Sequence, residues 1–220
     1  MKKIIGLVAC LFVGSANAGF IEHIENGGFE AGDFSDWTVV NTGTGHWSIN
    51  DGTFDTGYNL IKKHPIDGAF DAVTTKGNGN PELQSLSQEI LLPGSFSAAV
   101  LSWDDRIESD VASSNLVREW RVFIEGVDTT LLNYEVFSTV PEIGGISSRW
   151  AFDVTPFLTP FANETIRISF VHEDQNGSVS TTLDNVSFTT FTAEVPEPAS
   201  LALLGLGLVG IGFLRRKKAA

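Results

Sequence analysis

The central part of the chain, residues 20–191, is a succession of short segments in which apolar and polar side chains alternate. Residues 120–125 and 166–171 each place three large apolar side chains on one face. Alternation with period two is typical of β-strands, and no helical periodicity of useful length competes with it. Further strands are predicted at residues 37–41, 46–50, 69–75, 83–90, 96–103, 131–137, 150–154 and 183–191. This pattern predicts an all-β fold, an antiparallel β-sandwich or jelly roll.

The N-terminus has the order of a secretory signal peptide. Two lysines precede an apolar run at residues 4–13, and a small-residue triplet ends at Ala18. We therefore predict cleavage after Ala18. Residues 7–10 also resemble a lipoprotein cleavage box, but cleavage there would leave an apolar run of only six residues. Because the single cysteine is Cys10, the mature chain is expected to have no disulfide.

The C-terminus consists of a Pro-Glu-Pro motif, an apolar stretch and a basic cluster. The apolar residues 199–214 would form about 24 Å of helix, slightly less than the hydrocarbon core of a bilayer. We predict one transmembrane helix here, with the basic end in the cytoplasm and the acidic domain outside. The motif residues are Pro196, Glu197 and Pro198, and the basic residues are Arg215, Arg216, Lys217 and Lys218.

The charge of the chain is unevenly distributed. The net charge is −13, but six of the 14 basic residues lie at the two ends. Residues 19–194 contain eight basic and 26 acidic residues, which leaves −18. Nucleic acid is therefore not a predicted partner, because phosphate binding requires a basic surface.

The C-terminal order resembles the PEP-CTERM sorting signal of Gram-negative bacteria. The resemblance implies processing by an exosortase-type enzyme and a role in exopolysaccharide and biofilm. The implied location is an inner-membrane-anchored intermediate, followed by the cell surface or the extracellular matrix. The predicted organisation is a signal peptide at residues 1–18, a β-sandwich domain at 19–192 and a sorting tail at 193–220, with its motif at 195–200.

The middle of the chain resembles galactose-binding-like jelly rolls, which include carbohydrate-binding modules. Residues 26–30, with the sequence Asn-Gly-Gly-Phe-Glu, resemble the opening of that fold, and residues 183–188 resemble its closing strand. Members of the fold often carry a structural calcium ion between these segments. The resemblance implies Glu30 and Asp184 as candidate side-chain ligands, completed by backbone carbonyls near residues 26–28.

The strand pattern also predicts where the side chain of Asp184 points. Strand alternation places it on the same face as Val186 and Phe188, so its side chain is expected to point inward. A buried carboxylate is costly unless it is paired or bound to a metal. The alternative to calcium is that Asp184 accepts hydrogen bonds from a loop.

An acidic cluster follows the predicted strand at residues 96–103. Its members are Asp104, Asp105, Glu108 and Asp110. The spacing is not that of an EF-hand, and like-charge blocks are usually solvated. We predict an exposed loop here, with cation binding or a carboxylate pair as the alternatives.

Aromatic residues are candidate platforms for sugar rings, because flat apolar faces suit that contact. Trp37 and Trp120 are predicted to be core residues, from the family resemblance and the strand pattern respectively. The remaining candidates are Trp47, Tyr58, Trp103, Tyr134 and Trp150. Of these, Trp103 and Trp150 are our predicted ligand-binding residues.

The leading functional prediction is an exported, non-catalytic adhesion or glycan-binding module that acts on exopolysaccharide. The sequence has no nucleophile elbow, phosphate loop, dinucleotide fingerprint or zinc-type histidine spacing. Two alternatives remain open. One is an acidic structural matrix protein without a specific ligand. The other is a surface hydrolase, which needs only two carboxylates.

Overall fold

The computed structural model describes residues 19–53, 63–75, 82–109, 118–128, 132–139, 145–175 and 179–192. The predicted signal peptide with Ala18, the Pro-Glu-Pro motif, the helix at 199–214 and the basic end lie outside the described residues. Tyr58 and Asp110 also lie outside them. Residues 20–192 form one compact unit. The boundaries of the three predicted regions stay predictions.

Nearly all of the regular secondary structure in the described chain is β-strand. The strands are β1 (Phe20–Glu22), β2 (Thr38–Thr42), β3 (Trp47–Asn50), β4 (Asp71–Thr74), β5 (Glu82–Leu91), β6 (Ala98–Ser109), β7 (Arg118–Gly126), β8 (Asn133–Thr139), β9 (Ser147–Asp153), β10 (Thr165–Asp174) and β11 (Val179–Phe191). A four-residue helix, α1 (Thr155–Leu158), and a 3₁₀ turn (Thr159–Phe161) join β9 to β10. Among the described residues no helix is long and apolar enough to cross a membrane.

The strands form two antiparallel sheets. One has the order β3-β4-β11-β6-β9, with β1 paired to β11, and is called sheet A. The other has the order β2-β5-β10-β7-β8 and is called sheet B. Aromatic rings from the two sheets meet between them: Trp103 of sheet A lies 5.6 Å from Phe170 of sheet B, centroid to centroid. The prediction of an all-β antiparallel sandwich is confirmed.

The core follows from the alternation in the sequence. On β7, Trp120, Val122 and Ile124 are fully buried, while the residues between them face the outside of sheet B. The predicted core positions of Trp37 and Trp120 are confirmed, since they are 7% and 0% exposed. Because sheet A covers the inner face of sheet B, the outer face of sheet B is the one left open to a ligand.

Strand β6 is longer than the sequence pattern predicts. It continues through residues 104 and 105 to Ser109, where an exposed acidic loop was expected. Asp104 and Asp105 are 8% and 2% exposed. The prediction of a solvated loop is therefore wrong at both residues, and each carboxylate needs a partner inside the fold.

A β-bulge in β11 changes which residues face the core. The pairing between β11 and β6 shifts between Asp184 and Ser187. Leu183, before the bulge, and Val186, after it, both belong to the core cluster. An extra residue reverses the side-chain alternation of a strand. The expectation that Asp184 shares a face with Val186 is therefore wrong: Asp184 lies on the outer face of sheet A.

Residues 63–70, which we call the strap, cover Asp184 on that outer face. The strap backbone donates to the carboxylates of Asp71, Asp184 and Glu30. Its Lys63 pairs with Glu108, and its carbonyl at His64 accepts from both terminal nitrogens of Arg106, each at 3.2 Å. Carboxylates from separate parts of the chain thus hold one short segment against the sheet.

Candidate functional site

The outer face of sheet B carries an open groove with a volume of about 530 Å³. It is lined by residues of β2, β5, β10 and β7. Its length across these four strands is about 14 Å, since neighbouring strands are about 4.8 Å apart. A groove of this volume lies within the usual range for ligand sites.

Hydroxyl side chains form the floor of the groove. Thr38, Ser87, Ser169 and Phe123 are successive cross-strand neighbours on β2, β5, β10 and β7. The first three side chains are small, so this row rises less from the sheet than the larger side chains on either side of it. A hydroxyl both donates and accepts a hydrogen bond. The floor can therefore bind ligand groups of either kind, and it ends at one aromatic ring, that of Phe123.

One wall of the groove is a row of three charged residues. Arg167 on β10 lies between Glu89 on β5 and Glu125 on β7 in the strand register. A terminal guanidinium nitrogen of Arg167 lies 2.6 Å from Oε1 of Glu89. A charge-assisted contact of this length orients both side chains.

The opposite wall contains a second arginine that is held more tightly. Arg121 contacts Glu173 at 2.6 Å and Glu119 at 3.2 Å. Its guanidinium carbon also lies 5.4 Å from the centroid of the Phe123 ring. These three contacts fix Arg121, so the guanidinium groups in both walls are positioned before any ligand arrives.

No pattern in the sequence predicts this groove. Its floor residues come from four strands between residues 38 and 169, and they become neighbours only through the register of sheet B. Serine and threonine on the outer face of a strand are also ordinary surface residues. Only the cross-strand pairing distinguishes the floor from the rest of the surface.

Of the two predicted ligand-binding residues, Trp103 lies inside the core. It is 1% exposed, and its ring stacks on Phe152 with centroids 5.5 Å apart. Phe137 and Phe170 contact its edges. No face of the Trp103 ring is open to a sugar, which argues against the predicted role.

Trp150 is the cross-strand neighbour of Trp103 on β9 and is half-buried. Its ring lies 4.5 Å from Phe137. Among the other aromatic candidates, Trp47 is buried, and Tyr134 stacks on Phe157 with centroids 3.7 Å apart. None of these rings lines the groove on sheet B.

Trp103 and Trp150 share a different role with Trp120: their indole N–H groups all donate to Asp105. The Trp103 and Trp120 donors reach Oδ2 at 2.9 and 3.0 Å, and the Trp150 donor reaches Oδ1 at 3.2 Å. Burial raises the pKa of the Asp105 carboxyl, and the three indole hydrogen bonds oppose that rise. The indoles thus supply the hydrogen bonds of the buried carboxylate that the sequence pattern predicts to lie in an exposed loop.

The predicted calcium ligands Glu30 and Asp184 flank the same turn of the strap. Glu30 accepts from the N–H groups of Ala69 and Phe70 at 3.0 and 3.2 Å. Asp184 accepts from Asn185 and Asp67 at 2.7 and 3.0 Å. The loop hydrogen bonds considered as the alternative to calcium are therefore present.

Side-chain oxygen atoms nevertheless lie close to Gly28. A Cβ at Gly28 would lie 3.7 Å from Oδ1 of Asp184, 3.8 Å from Oδ1 of Asn185 and 3.7 Å from Cγ of Glu30. Oδ1 of Asp104 does not appear among these neighbours, and it lies 3.9 Å from Nε of Arg149. Within the described segments no three His, Cys, Asp or Glu side chains form a metal-binding group. The fit to calcium is therefore partial and would need backbone oxygens or water.

The acidic residues beneath the strap have perturbed titration. Burial raises the pKa of Asp184 to about 7, and the charges of Asp71 and Asp104 add to the rise. Burial also raises the pKa of Asp71 to about 6, against its hydrogen bonds from Asn50 and Ile66 and the charge of Arg106. The negative charges of Asp71 and Asp104 thus oppose the ionisation of Asp184.

Comparison with known proteins gives one sequence match, at the C-terminus. Residues 194–217 match the PEP-CTERM protein-sorting motif. The chain therefore carries this motif, as its resemblance predicted. No curated protein sequence matches the chain.

Solved structures with a similar fold are distant in sequence. Carbohydrate-binding module TmCBM61, in complex with β-1,4-galactotriose, is 15% identical with a TM-score of 0.52. The match covers 76% of this chain and 97% of that one. The enzymatically active domain of bacteriophage CBA120 tailspike protein 4 is 14% identical with a TM-score of 0.50, covering 77% of this chain and 21% of that one. These similarities show the fold and not the activity.

Proposed function

We propose that this protein is an exported, non-catalytic module that binds glycans in the groove on sheet B. The observation that carries the proposal is the hydroxyl floor at Thr38, Ser87 and Ser169, enclosed by side chains that ion pairs already hold in place. Sugars present many hydroxyl groups, and a preorganised set of donors and acceptors binds them at a low entropic cost.

The sorting motif supports a location outside the cytoplasm. In this proposal an exosortase-type enzyme processes the tail while the helix at 199–214 anchors the chain in the inner membrane. The domain then reaches the cell surface or the extracellular matrix, where exopolysaccharide is the glycan available. The β-1,4-galactotriose complex of TmCBM61 supports the glycan assignment, since a protein with a similar fold binds a sugar.

Filling the floor of the groove tests the proposal. In Ser169→Leu the larger side chain should occupy the lowest part of the groove. We therefore expect the affinity for glycan, measured by affinity electrophoresis, to fall at least tenfold, about 1.4 kcal/mol. The matched control is Ser147→Leu, on the exposed start of β9 in sheet A, which should bind like the wild type. Equal retention of both variants would contradict a site in this groove.

The same variants separate binding from a purely structural role. If the acidic domain acts only through its charge, Ser169→Leu should associate with the matrix as well as the wild type does. Both variants keep the net charge, so a loss specific to Ser169→Leu supports the groove. Matrix association is measured by fractionating cells that express each variant.

The absence of catalysis is part of the proposal. Glu89 and Glu125 lie on the strands that flank β10. A glycosidase needs two carboxylates that act on the same bond, and here Glu89 is engaged by Arg167. Release of reducing ends from a bound polysaccharide, lost in Glu125→Gln, would favour the hydrolase instead.

We also propose a calcium ion beside Gly28, held by Glu30 and Asp184. When bound, it would supply positive charge to buried carboxylates that otherwise repel one another. Calcium should then raise the melting temperature of the protein, and a chelator should lower it.

Gly28→Ala offers a specific test of that site. Its methyl would make ordinary contacts of 3.7–3.8 Å with the surrounding atoms, yet it would fill the space for the ion. We expect its melting temperature in chelator to equal that of the wild type and to be unchanged by calcium. If neither calcium nor chelator changed the melting temperature of the wild type, the site would be excluded.

A further inference from the structure

We propose that the groove on sheet B selects uncharged glycans and rejects glycans that carry uronate carboxylates. This inference rests on the glycan binding proposed above and adds the chemical class of the ligand. It follows from the way in which the charges in the groove are already paired.

The two guanidinium groups that could attract an anionic sugar are both occupied. Arg167 contacts Glu89 at 2.6 Å. Arg121 contacts Glu173 at 2.6 Å and Glu119 at 3.2 Å. A uronate would have to compete with these carboxylates, which are attached to the same sheet and therefore act at a high effective concentration.

The surroundings add repulsion. Among the lining residues, Arg121 and Arg167 are balanced by Glu89 and Glu125, and the partners of Arg121 bring further negative charge beside the groove. Residues 19–194 carry −18 in total. Placing like charges together at an interface is unfavourable and reduces the rate of association. An anionic polysaccharide thus meets a negative domain, and the two arginines of the groove are already paired.

An uncharged glycan meets none of these penalties. Its hydroxyls can donate to the free lone pairs of the carboxylates and accept from guanidinium N–H groups that the ion pairs leave available. The serine and threonine floor offers both functions again. Binding that uses neutral hydrogen bonds should be nearly independent of ionic strength, whereas binding of a charged ligand is screened by salt.

The experiment compares neutral and acidic polysaccharides on the full chain purified in mild detergent. The probes are a neutral β-1,4-galactan, a mixed-linked β-glucan, polygalacturonate and alginate, each in calcium-free buffer with chelator. We expect at least one neutral polysaccharide to be retained and neither uronate to be. Retention should change by less than about twofold between about 0.05 and 0.5 M salt.

Charge-removing variants locate the selectivity in the groove. Glu89→Gln combined with Glu125→Gln keeps the shape of the wall and releases Arg167, so we expect at least a tenfold gain in affinity for polygalacturonate. The matched control, Glu25→Gln with Glu164→Gln, removes two exposed acids outside the groove. It should not gain affinity for uronate.

The outcomes separate this inference from the proposal beneath it. Wild-type protein that retains uronates as well as neutral polysaccharides would overturn the inference and leave glycan binding intact. An equal gain in both double variants would also overturn it, because net charge and not the groove would then govern selectivity. Retention of no polysaccharide at all would overturn the proposed function together with the inference.

Discussion

Replacing Asp105 by alanine is expected to lower the free energy of unfolding by about 3–5 kcal/mol. The carboxylate is 2% exposed and accepts from three indole N–H groups. Without it, three donors remain between the sheets with no acceptor. A buried donor without a partner costs about 1–3 kcal/mol, and removal of a buried charge offsets part of the total.

Asp105→Asn separates the hydrogen bonds from the charge. The amide oxygen can replace Oδ2 as acceptor for Trp103 and Trp120, while the amide nitrogen would face the N–H of Trp150. We expect a loss of about 1–2 kcal/mol, between the wild type and Asp105→Ala. Denaturant unfolding followed by tryptophan fluorescence measures both, because the reporting indoles are the affected donors.

Asp128→Ala serves as the control for these measurements. Asp128 is exposed, and most surface substitutions change stability by less than about 0.5 kcal/mol. If Asp105→Ala were no less stable than Asp128→Ala, the indole hydrogen bonds would not be structural. A loss in Asp105→Asn equal to that in Asp105→Ala would instead assign the effect to the charge.

The sequence predicts the sandwich better than it predicts which polar residues lie inside. Apolar residues at every second position are visible without a structure, and strands β7 and β10 follow that pattern. Asp105 interrupts the apolar pattern, and a charged residue at that point predicts the start of a loop. Its burial depends on three tryptophans brought together from residues 103, 120 and 150, which no local pattern reveals.

The bulge in β11 explains a second limit. Counting from Val186 predicts Asp184 on the inner face, but one extra residue between them reverses the alternation. Nothing in the sequence from Leu183 to Phe188 marks the bulge, although Asn185 has a φ of 50°. The groove illustrates the same point, since strand register and not local sequence makes Ser87 and Ser169 neighbours.

The free energy of unfolding in chelator is expected to fall by about 2 kcal/mol as the pH rises from about 5 to about 8. Folding raises the pKa of Asp184 to about 7 and that of Asp71 to about 6. A raised carboxyl pKa contributes stability that is complete below the unfolded value near 4 and is lost as the pH passes through the folded value. Both residues therefore favour the folded state at lower pH.

His172 acts in the opposite direction and sets the net size of the effect. It is 1% exposed, with Nδ1 at 2.9 Å from the hydroxyl of Thr181. Burial lowers its pKa, against the charge of Asp174. A lowered histidine pKa contributes stability that is present above the ordinary value near 6.5 and is lost at lower pH. It thus cancels about half of the gain from the two carboxyls.

Asp184→Asn should remove most of the stability gained at low pH. Asp71 and Asp105, whose pKa values burial raises, then act against His172, so the difference between pH 5 and pH 8 is expected to become small. Urea unfolding at several pH values, with chelator throughout, measures the slope. A slope unchanged in Asp184→Asn would show that the carboxyl beneath the strap does not control it.

Calcium should reverse the wild-type trend, because the ion binds the ionised form of Asp184 and Glu30. Metal binding competes with protons for a carboxylate, so with calcium the stability should rise from pH 5 to pH 8. Gly28→Ala should keep the chelator profile in both conditions. If calcium reversed the trend in Gly28→Ala as well, the ion would bind elsewhere and the carboxyls under the strap would titrate without it.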